Sequence, residues 1–298
     1  MKSAELQYAL ITPARNEEAF LERTIDSVLQ QTILPVRWVI VSDGSTDRTD
    51  EIIKAYAEVY EWIDYIRMPE RETRDFAGKV RSFNAGYARL GDLRYDLVGS
   101  LDADISFDPK YFEFLLGQFR ADSLLGVAGT PFSEEGRTYD YRFSSTDHVS
   151  GACQLFRREC FESIGGYVPV RGGGIDDIAV MTARLKGWRT RTFTEMSCCH
   201  HRPMGSATTH SKIAANFKLG QSAYRLGGHP VWQVFRGIYQ MARKPYIVGG
   251  GALVVGYVWA MLNRIERPVS KELVAFYRRE QMNRLRNFLK LRAVEISR

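Results

Sequence analysis

Short apolar runs alternate with segments of helical periodicity through the first two thirds of the chain, and this alternation restricts the fold more than any other feature. Residues 8–13 and 36–41 are two such runs, and each leads into a polar loop followed by an amphipathic helical pattern. Further runs lie at residues 65–68, 97–101 and 127–130. Strands that alternate with helices at this spacing favour parallel pairing with crossover helices. We therefore predict an α/β fold with a mainly parallel sheet in three layers, flanked by helices.

The composition is that of a folded, basic protein. Of its 298 residues, 45% are hydrophobic and 26% are charged, which excludes a disordered chain. The net charge of +6 predicts an acidic partner, and a nucleic acid, a phosphorylated substrate and an anionic membrane all remain open. Four cysteines without C-x-x-C spacing predict free thiols in a reducing compartment. Residues 1–14 lack the pattern of a signal peptide, so we expect the catalytic part to be cytoplasmic.

Two carboxylates follow the apolar run at residues 97–101. Asp102 and Asp104 are one residue apart, where the buried strand should end. Carboxylates this close repel unless a cation lies between them or one of them binds a proton, and oxygen ligands favour Mg²⁺ or Mn²⁺. Ligands in open α/β sheets collect at such strand ends. We predict a metal site for a phosphorylated ligand; the alternative is a solvated Asp-x-Asp turn.

A predicted helix that begins near Gly78 carries Lys79 and Arg81 in its first turns. Cations are unfavourable at a helix N-terminus unless an anion is present, so Lys79 or Arg81 is predicted to bind a ligand phosphate. An exposed basic helix start is the alternative. The chain contains neither G-x-G-x-x-G after its first strand nor a G-x-x-x-x-G-K-[ST] motif. Their absence argues against a dinucleotide enzyme and against a P-loop NTPase.

Four short motifs occur in an order that resembles a known family. They are PARNE at residues 13–17, VSDGSTD at 41–47, Gly78-Lys79 with Asn84, and Asp102-Ala103-Asp104. Together they resemble the nucleotide-binding half of family-2 glycosyltransferases with the GT-A fold. One departure is Ser42, where many relatives carry a second Asp.

The resemblance implies a role for each motif. Asp43 would hydrogen-bond the nucleotide base, Glu17 would lie near the ribose, and Lys79 would lie near the diphosphate. Asp102 and Asp104 would hold the nucleotide and its metal, Mn²⁺ or Mg²⁺. With UDP as the expected nucleotide, the candidate nucleotide-sugar contacts are Pro13, Arg15, Glu17, Asp43, Lys79, Asn84, Asp102, Gly151 and Arg202.

An acidic pair follows a glycine-rich loop at residues 171–174. Asp176 and Asp177 lie at the start of a predicted helix, and relatives place an acidic pair here as the base that deprotonates the acceptor hydroxyl. Adjacent acids raise each other's pKa, which suits a base. Either residue remains a candidate, and the alternative is that both only cap the helix and complement its dipole.

Two adjacent histidines follow a predicted strand at residues 190–194. In several GT-A enzymes a late His completes the metal shell, so His200 and His201 are both candidate ligands. A structural His pair is the alternative. Arg202, the next residue, is suited to bidentate pairing with a diphosphate.

Residues 144–167 continue the resemblance. Gly151 permits close approach of the backbone to a sugar. Phe156 and Phe161 are predicted to share the core face of one helix, which a pair of glycines ends. His148 is predicted to be a surface side chain.

The alternation of strands and helices stops after residue 206. We therefore predict two domains, a GT-A nucleotide-sugar-binding and catalytic domain at 1–205 and a helical region at 206–298. Residues 245–262 carry no charge and are at the short limit for a bilayer core of ~30 Å, with basic residues on both sides. This pattern favours a re-entrant or interfacial segment, ahead of a single span and of a soluble packed helix.

The end of the chain is strongly basic. Residues 264–298 contain ten Lys or Arg and four Glu, with apolar side chains that predict an amphipathic helix. Such helices suit anionic lipid surfaces, and a solvated helical face is the alternative. We expect peripheral, re-entrant or single-span attachment at the cytoplasmic face of a membrane.

The combined motifs predict an inverting, metal-dependent glycosyltransferase of a membrane-associated bacterial or archaeal type. Its donor would be a nucleotide-diphosphate sugar, and its acceptor a hydroxyl on a lipid-linked or membrane-held saccharide in glycan or polysaccharide synthesis. No second nucleophile is evident, which disfavours retention. A polyprenyl-phosphate acceptor is the alternative, since a phosphate is already ionised and needs no base. A non-catalytic protein that binds nucleic acid is disfavoured, because no nucleic-acid module or aromatic stacking platform is present.

Overall fold

The chain forms two compact units, Met1–Pro203 and Met204–Arg298. We call them the α/β unit and the helical unit. The computed structural model describes residues 5–70, 76–134, 137–138, 145–170, 173–202 and 211–296. The predicted domain boundary at residues 205 and 206 lies outside these ranges.

The α/β unit alternates strands and helices through most of its length. Its elements in chain order are β1 (Tyr8–Ala14), α1 (Leu21–Leu29), β2 (Arg37–Ser42), α2 (Thr49–Val59), β3 (Ile63–Arg67), α3 (Phe76–Leu90), β4 (Leu97–Leu101), β5 (Ile105–Ser106), α4 (Tyr111–Ala121), β6 (Leu125–Gly129), β7 (Phe132–Glu134), β8 (Arg137–Thr138), β9 (Cys153–Arg157), α5 (Arg158–Ser163), α6 (Ile175–Leu185), β10 (Arg189–Thr192) and β11 (Cys198–His200). The predicted strands and helices shift by a few residues at most, apart from one segment described below.

A seven-stranded sheet in the order β10-β6-β9-β4-β1-β2-β3 forms the centre of this unit. Strands β3, β2, β1 and β4 run parallel, as do β6 and β10. The prediction of a mainly parallel sheet flanked by helices is therefore confirmed. Since β4 and β2 both pair with β1, the carboxyl ends of these three central strands meet at one edge of the sheet.

Close packing fixes α3 against the central strands. A Cβ added at Gly86 would lie 2.6 Å from the Cγ2 atom of Ile11 and 3.1 Å from that of Val41, so the helix approaches β1 and β2 at glycine. Phe83 and Val80 on the same helix are buried. This contact holds the first turns of α3, which carry Lys79, at a defined position.

The segment around Phe156 is not part of a helix, so that prediction is wrong. Residues 153–157 form β9, which runs antiparallel between β4 and β6, and α5 begins only at Arg158. Phe156 pairs with Val98 and is fully buried. A short apolar run looks alike in a buried strand and in a helix, and here the open position between two strands decided the outcome.

A second sheet has four strands in the order β5-β11-β7-β8. Its edge strand β5 is the next strand after β4 along the chain. Strand β5 begins one residue after Asp104 and pairs with β11 in antiparallel register. This register places His200 opposite Ile105 and Cys199 opposite Ser106. The late histidines are therefore brought back to the Asp-x-Asp segment.

The helical unit consists of α7 (Lys212–Arg225), α8 (Pro230–Met241), α9 (Val248–Leu262) and α10 (Lys271–Ile296). Glycines let α7 and α9 touch backbone to backbone. A Cβ at Gly220 would overlap the carbonyl oxygen of Leu253, and one at Gly256 would overlap that of Phe217. Across the part of the chain that the structure describes, no helix combines the length and the apolarity needed to cross a membrane.

The apolar segment predicted at residues 245–262 contains α9, and it carries exposed hydrophobic side chains, as α8 does. Ile213 and Leu219 of α7 and Leu289 of α10 are exposed as well. Other apolar side chains of α10 are used within the unit: Leu273 and Leu285 are buried, and Phe288 packs edge-on against Phe235 of α8 with ring centroids 5.2 Å apart.

Candidate active site

The loops that follow β1 and β2 are joined by hydrogen bonds. The backbone N–H of Asn16 donates to Ser45 Oγ at 3.1 Å, and the backbone N–H of Thr46 donates to Asn16 Oδ1 at 2.9 Å. Asn16 has a left-handed φ of 55°, which Asn tolerates better than most residues. These bonds hold the polar segments after the two strands in one arrangement.

Arg15 and Asp43 come together at this edge. Asp43 is buried, and its backbone N–H donates to the carbonyl oxygen of Ala14 at 2.8 Å. Arg15 Nη1 lies 4.0 Å from Asp43 Oδ2. Pro13 is the partner of Val41 in the β1–β2 ladder, so it shapes the backbone just before these groups.

Lys79 reaches the Asp-x-Asp segment from α3. Its ammonium group contacts Asp102 Oδ1, and the two side chains keep 28% and 25% of their area exposed. Burial opposes the charged form of Lys79, but the carboxylates of Asp102, Asp176 and Asp104 outweigh it and raise the lysine pKa. Lys79 therefore carries a positive charge among three acidic side chains.

Asp102, Asp104 and His200 form a cluster with the donors of a metal site. One candidate ligand atom from each lies within 4.8 Å of the others, and His200 Nε2 is 3.6 Å from Asp104 Oδ1. Burial raises the pKa of Asp104, and the charge of Asp102 raises it further. The buried Nδ1 atom of His200 has no hydrogen-bond partner among the residues that the structure describes. Two carboxylates and an imidazole suit a divalent cation such as Mn²⁺, whose charge would relieve the repulsion between the carboxylates.

The second histidine does not join this cluster. His201 Nε2 lies 2.9 Å from Ser106 Oγ, and its ring stacks on Phe20 with centroids 6.3 Å apart. Its backbone N–H donates to the carbonyl oxygen of Asp104 at 2.8 Å. Neighbouring side chains at the end of a strand point to opposite sides, so only one of two adjacent histidines can face the carboxylates. The structure thus separates the two predicted ligands.

Arg202 links the cluster to Glu17. Its Nη2 atom contacts Glu17 Oε2, its Nε atom lies 3.6 Å from Asp104 Oδ2, and its guanidinium lies over the ring of Phe20. Glu17 is buried, and its backbone N–H donates to Thr49 Oγ1 at 2.8 Å. Two residues from opposite ends of the α/β unit are thereby held beside the candidate metal site.

The acidic pair opens α6. Gly174 has a left-handed φ of 83° and turns the chain into the helix, while Arg171 and Gly172 lie outside the described residues. Burial and the charge of Asp177 raise the pKa of Asp176, against the opposing effects of Lys79 and His148.

Gly151 faces Asp176 directly. A Cβ at position 151 would lie 2.6 Å from Asp176 Oδ2, so only glycine leaves room for this carboxylate. The next residue, Ala152, accepts a hydrogen bond from the backbone N–H of Asp102 at 2.9 Å. Gly151, Asp176 and the metal cluster are therefore neighbours in the fold.

His148 lies at the surface, as the sequence predicts, and it contacts the acidic pair of α6. Its Nδ1 atom lies 3.2 Å from Asp177 Oδ1, although both side chains stay partly exposed. Burial lowers the pKa of His148, but the hydrogen bond and charge of Asp177 outweigh it and raise the pKa above 6.5. His148 precedes β9 by a few residues in the chain. Identification of residues 153–157 as a strand from the sequence would have placed His148 in the loop at the end of the sheet.

Asn84 is not brought to the site by a described contact. It is exposed on α3, five residues after Lys79, which places it roughly 140° around the helix from that lysine. Arg81 is exposed on the same helix. Of the two cations at the start of α3, Lys79 contacts Asp102 at the end of β4.

Sequence comparison places this geometry among sugar-transferring enzymes. The family model described as glycosyl transferase family 2 matches residues 9–172, more than half of the chain. The chain is 32% identical over 133 residues to glycosyltransferase GlyA of Streptococcus pneumoniae serotype 4, which covers 44% of the chain and 18% of that protein. It is 32% identical over 117 residues to the poly-β-1,6-N-acetyl-D-glucosamine synthase of Staphylococcus aureus strain COL, covering 39% and 26%. The chain thus spans only a fraction of the length of these relatives.

Solved structures share the fold at low identity. The mannosyltransferase PcManGT of Pyrobaculum calidifontis, in complex with GDP-Man and Mn²⁺, aligns with a TM-score of 0.58 and 17% identity, over 92% of this chain and 79% of that one. S. aureus TarS 1–349 with UDP-GlcNAc aligns with a TM-score of 0.55 and 12% identity, over 91% and 78%. These likenesses establish the GT-A fold. The family match over residues 9–172 shows that the chain belongs to glycosyl transferase family 2.

Proposed function

We propose that this enzyme transfers a sugar, with inversion, from a nucleotide-diphosphate sugar to a hydroxyl of a membrane-held saccharide. The observation that carries the proposal is the arrangement of Lys79 between Asp102 of the metal-type cluster and the acidic pair of α6. One side of this lysine offers groups for a metal and a diphosphate. The other side offers a carboxylate for the acceptor.

The donor would bind along the edge formed by β1, β2 and β4. Asp43 would accept a hydrogen bond from the base, Glu17 would lie near the ribose, and Lys79 and Arg202 would pair with the diphosphate. Asp102, Asp104 and His200 would hold Mn²⁺ or Mg²⁺, which stabilises the charge on the departing diphosphate when bound. UDP is the expected nucleotide.

The acceptor would lose its proton to the acidic pair. The hydroxyl oxygen forms a bond to the anomeric carbon, the bond from that carbon to the diphosphate oxygen breaks, and a carboxylate of Asp176 or Asp177 takes the hydroxyl proton. Asp176 is favoured, because Asp177 already pairs with His148 and because burial raises the pKa of Asp176, which makes its carboxylate a better proton acceptor. No second nucleophile is needed, which is consistent with inversion.

A lipid-linked acceptor is supported by the helical unit. Its exposed apolar side chains and basic residues favour contact with an anionic membrane, so we place the enzyme at the cytoplasmic face, attached peripherally. A polyprenyl phosphate remains the second candidate acceptor, favoured by the same surface. The two acceptors differ in one respect: a phosphate acceptor would leave Asp176→Asn nearly fully active.

The first test is release of nucleotide from a panel of UDP-, GDP- and dTDP-sugars by the purified chain with Mn²⁺, with Mg²⁺ and with EDTA. Asp104→Ala should abolish metal-dependent release, whereas Asp92→Ala, at an exposed Asp away from the cluster, should not. If no donor is turned over, calorimetric titration with nucleotide and Mn²⁺ follows. Absence of metal-dependent binding in both measurements would overturn the proposal.

A further inference from the structure

The helical unit contains an open apolar groove between α7 and α9. Its volume is about 720 Å³, within the range of small-molecule sites, and its lining is almost entirely hydrocarbon. The side chains that define it are Ile213, Phe217, Met241, Ile247, Val248 and Val255. Ile247 is 69% exposed and Val255 is 57% exposed, so the groove presents apolar surface to its surroundings.

The segment that contains the groove, residues 211–262, carries charge of one sign. Residues 211–262 contain six Lys or Arg and no Asp or Glu. Lys212 lies between two residues that line the groove, and Arg243 and Lys244 lie between Met241 and Ile247. All three are exposed. An apolar groove with cations beside it complements an amphiphile with an anionic head.

Two other occupants are disfavoured by this charge. A second copy of the chain would bring Lys212 and Lys244 against the same two cations, and like charges facing each other oppose association. A basic peptide would add further positive charge beside them. An anionic lipid supplies both the hydrocarbon chain and the counter-charge.

We propose that the groove between α7 and α9 binds one acyl chain of an anionic phospholipid drawn from a bilayer leaflet, with its phosphate near Lys212, Arg243 and Lys244. The inference rests on the membrane contact proposed above and names the site that makes it. Binding would hold the helical unit at the lipid surface without a spanning helix.

Gly251 allows the groove to be filled without disturbing the packing. It lines the groove, and a Cβ added there has no atom within 4 Å. Gly251→Phe would therefore occupy the space of the chain, and Gly251→Leu would do so with a smaller side chain. The matched control is Leu262→Phe, which adds the same ring on α9 at an exposed position outside the groove.

The experiment uses the full chain and two sets of phosphatidylcholine vesicles, one without and one with phosphatidylglycerol. In the second set, a fraction of the phosphatidylglycerol carries a photoreactive group on its acyl chain. Crosslinks located by mass spectrometry should fall on the lining residues of α7 and α9. Gly251→Phe should reduce them about tenfold, the equivalent of displacing roughly two buried methylenes, while Leu262→Phe should not. Gly251→Leu should give an intermediate loss at unchanged thermal stability.

Three results would overturn the proposal. One is undiminished crosslinking in both Gly251 variants. Another is labelling confined to α8. The third is a dimer in solution that Gly251→Phe dissociates while lipid crosslinking is absent. None of these readouts depends on sugar transfer, so failure of the lipid site and failure of the transferase function are distinguishable.

Discussion

The two units of this chain treat their apolar side chains differently. Among the described residues, four large hydrophobic side chains are exposed in the α/β unit and fourteen in the much shorter helical unit. In the α/β unit, the central strands β1, β2, β4 and β6 are almost fully buried, so the unit covers most of its own apolar surface. In the helical unit, α8 and α9 keep apolar faces that no described element covers. Exposed hydrophobic side chains grouped in this way favour contact with a partner or a membrane.

Glycine shows the same contrast. In the α/β unit, Gly44, Gly173 and Gly174 adopt left-handed conformations that turn the chain beside the site. In the helical unit, Gly220 and Gly256 instead permit contact between helix backbones. Glycine contacts of this kind favour close helix pairs where burial of large side chains contributes little. The α/β unit therefore uses glycine both to shape the site and, at Gly86, to pack a helix on the sheet, whereas in the helical unit glycine brings two helix backbones together.

The largest expected effect is a loss of catalytic rate that leaves membrane binding unchanged. Asp176→Asn should lower kcat by about 10²–10⁴-fold, because the acceptor proton loses its base. Donor binding and vesicle binding should both stay close to those of the parent chain. Steady-state kinetics with a hydroxyl acceptor measures the first, and calorimetry and vesicle sedimentation measure the others.

Asp177→Asn is the comparison for that variant. We expect a smaller loss, since Asp177 is partnered by His148. An equal or larger loss for Asp177→Asn would assign the base to the other carboxylate. Reduced vesicle binding in either variant would contradict the proposal that the α/β unit carries the chemistry and the helical unit carries the membrane contact.

Matched glycine pairs test the packing in each unit. Gly86→Ala and Gly256→Ala should each lower the free energy of unfolding by about 1–3 kcal/mol, because their Cβ atoms would clash with Ile11 and with the backbone of Phe217. Gly117→Ala and Gly251→Ala face open space and should be neutral or stabilising by up to about 1 kcal/mol. Urea unfolding followed by circular dichroism measures all four variants. Equal effects of Gly86→Ala and Gly117→Ala, or of Gly256→Ala and Gly251→Ala, would refute the close packing in that unit.

The exposed face of α8 should contribute to membrane contact and little to stability. Ile238, which is 63% exposed, can be replaced by Ser with a change in unfolding free energy within about 0.5 kcal/mol. Leu253→Ala, at a buried position on α9, should cost about 2–5 kcal/mol. Sedimentation with anionic vesicles should weaken for Ile238→Ser. Unchanged sedimentation would place the membrane contact elsewhere.

The smallest effect concerns His148 and pH. Its folded pKa is raised above 6.5 by Asp177, so the protonated pair stabilises the fold fully below 6.5, and the contribution disappears as the pH rises through the raised value. Both groups are partly exposed, so we expect less than about 1 kcal/mol. The difference in unfolding free energy between the parent chain and His148→Gln should therefore be larger on the acidic side. If the difference in unfolding free energy does not change with pH, the ion pair between His148 and Asp177 does not stabilise the fold.

Patterns local in sequence were sufficient for the α/β unit and for part of its site. The apolar run that ends at Leu101 predicted a buried strand followed by Asp102 and Asp104, because a strand and the loop after it are determined by consecutive residues. The parallel direction of β1 to β4 followed from the helices between them, whereas the order of the strands in the sheet and the antiparallel strand β9 were not predicted. Family membership could be inferred because the motifs lie at successive strand ends.

Contacts between distant residues were decided only by the tertiary structure. His200 rather than His201 faces Asp104, because β5 and β11 pair across 95 residues in a register that no local pattern specifies. His148 reaches Asp177 because β9 runs antiparallel in the sheet. Exposed apolar side chains remain on α8 and α9, whereas Leu273 and Leu285 of α10 are buried and Phe288 packs against Phe235 of α8. Local patterns therefore determined the elements and their order, whereas long-range pairing and packing chose which side chains meet.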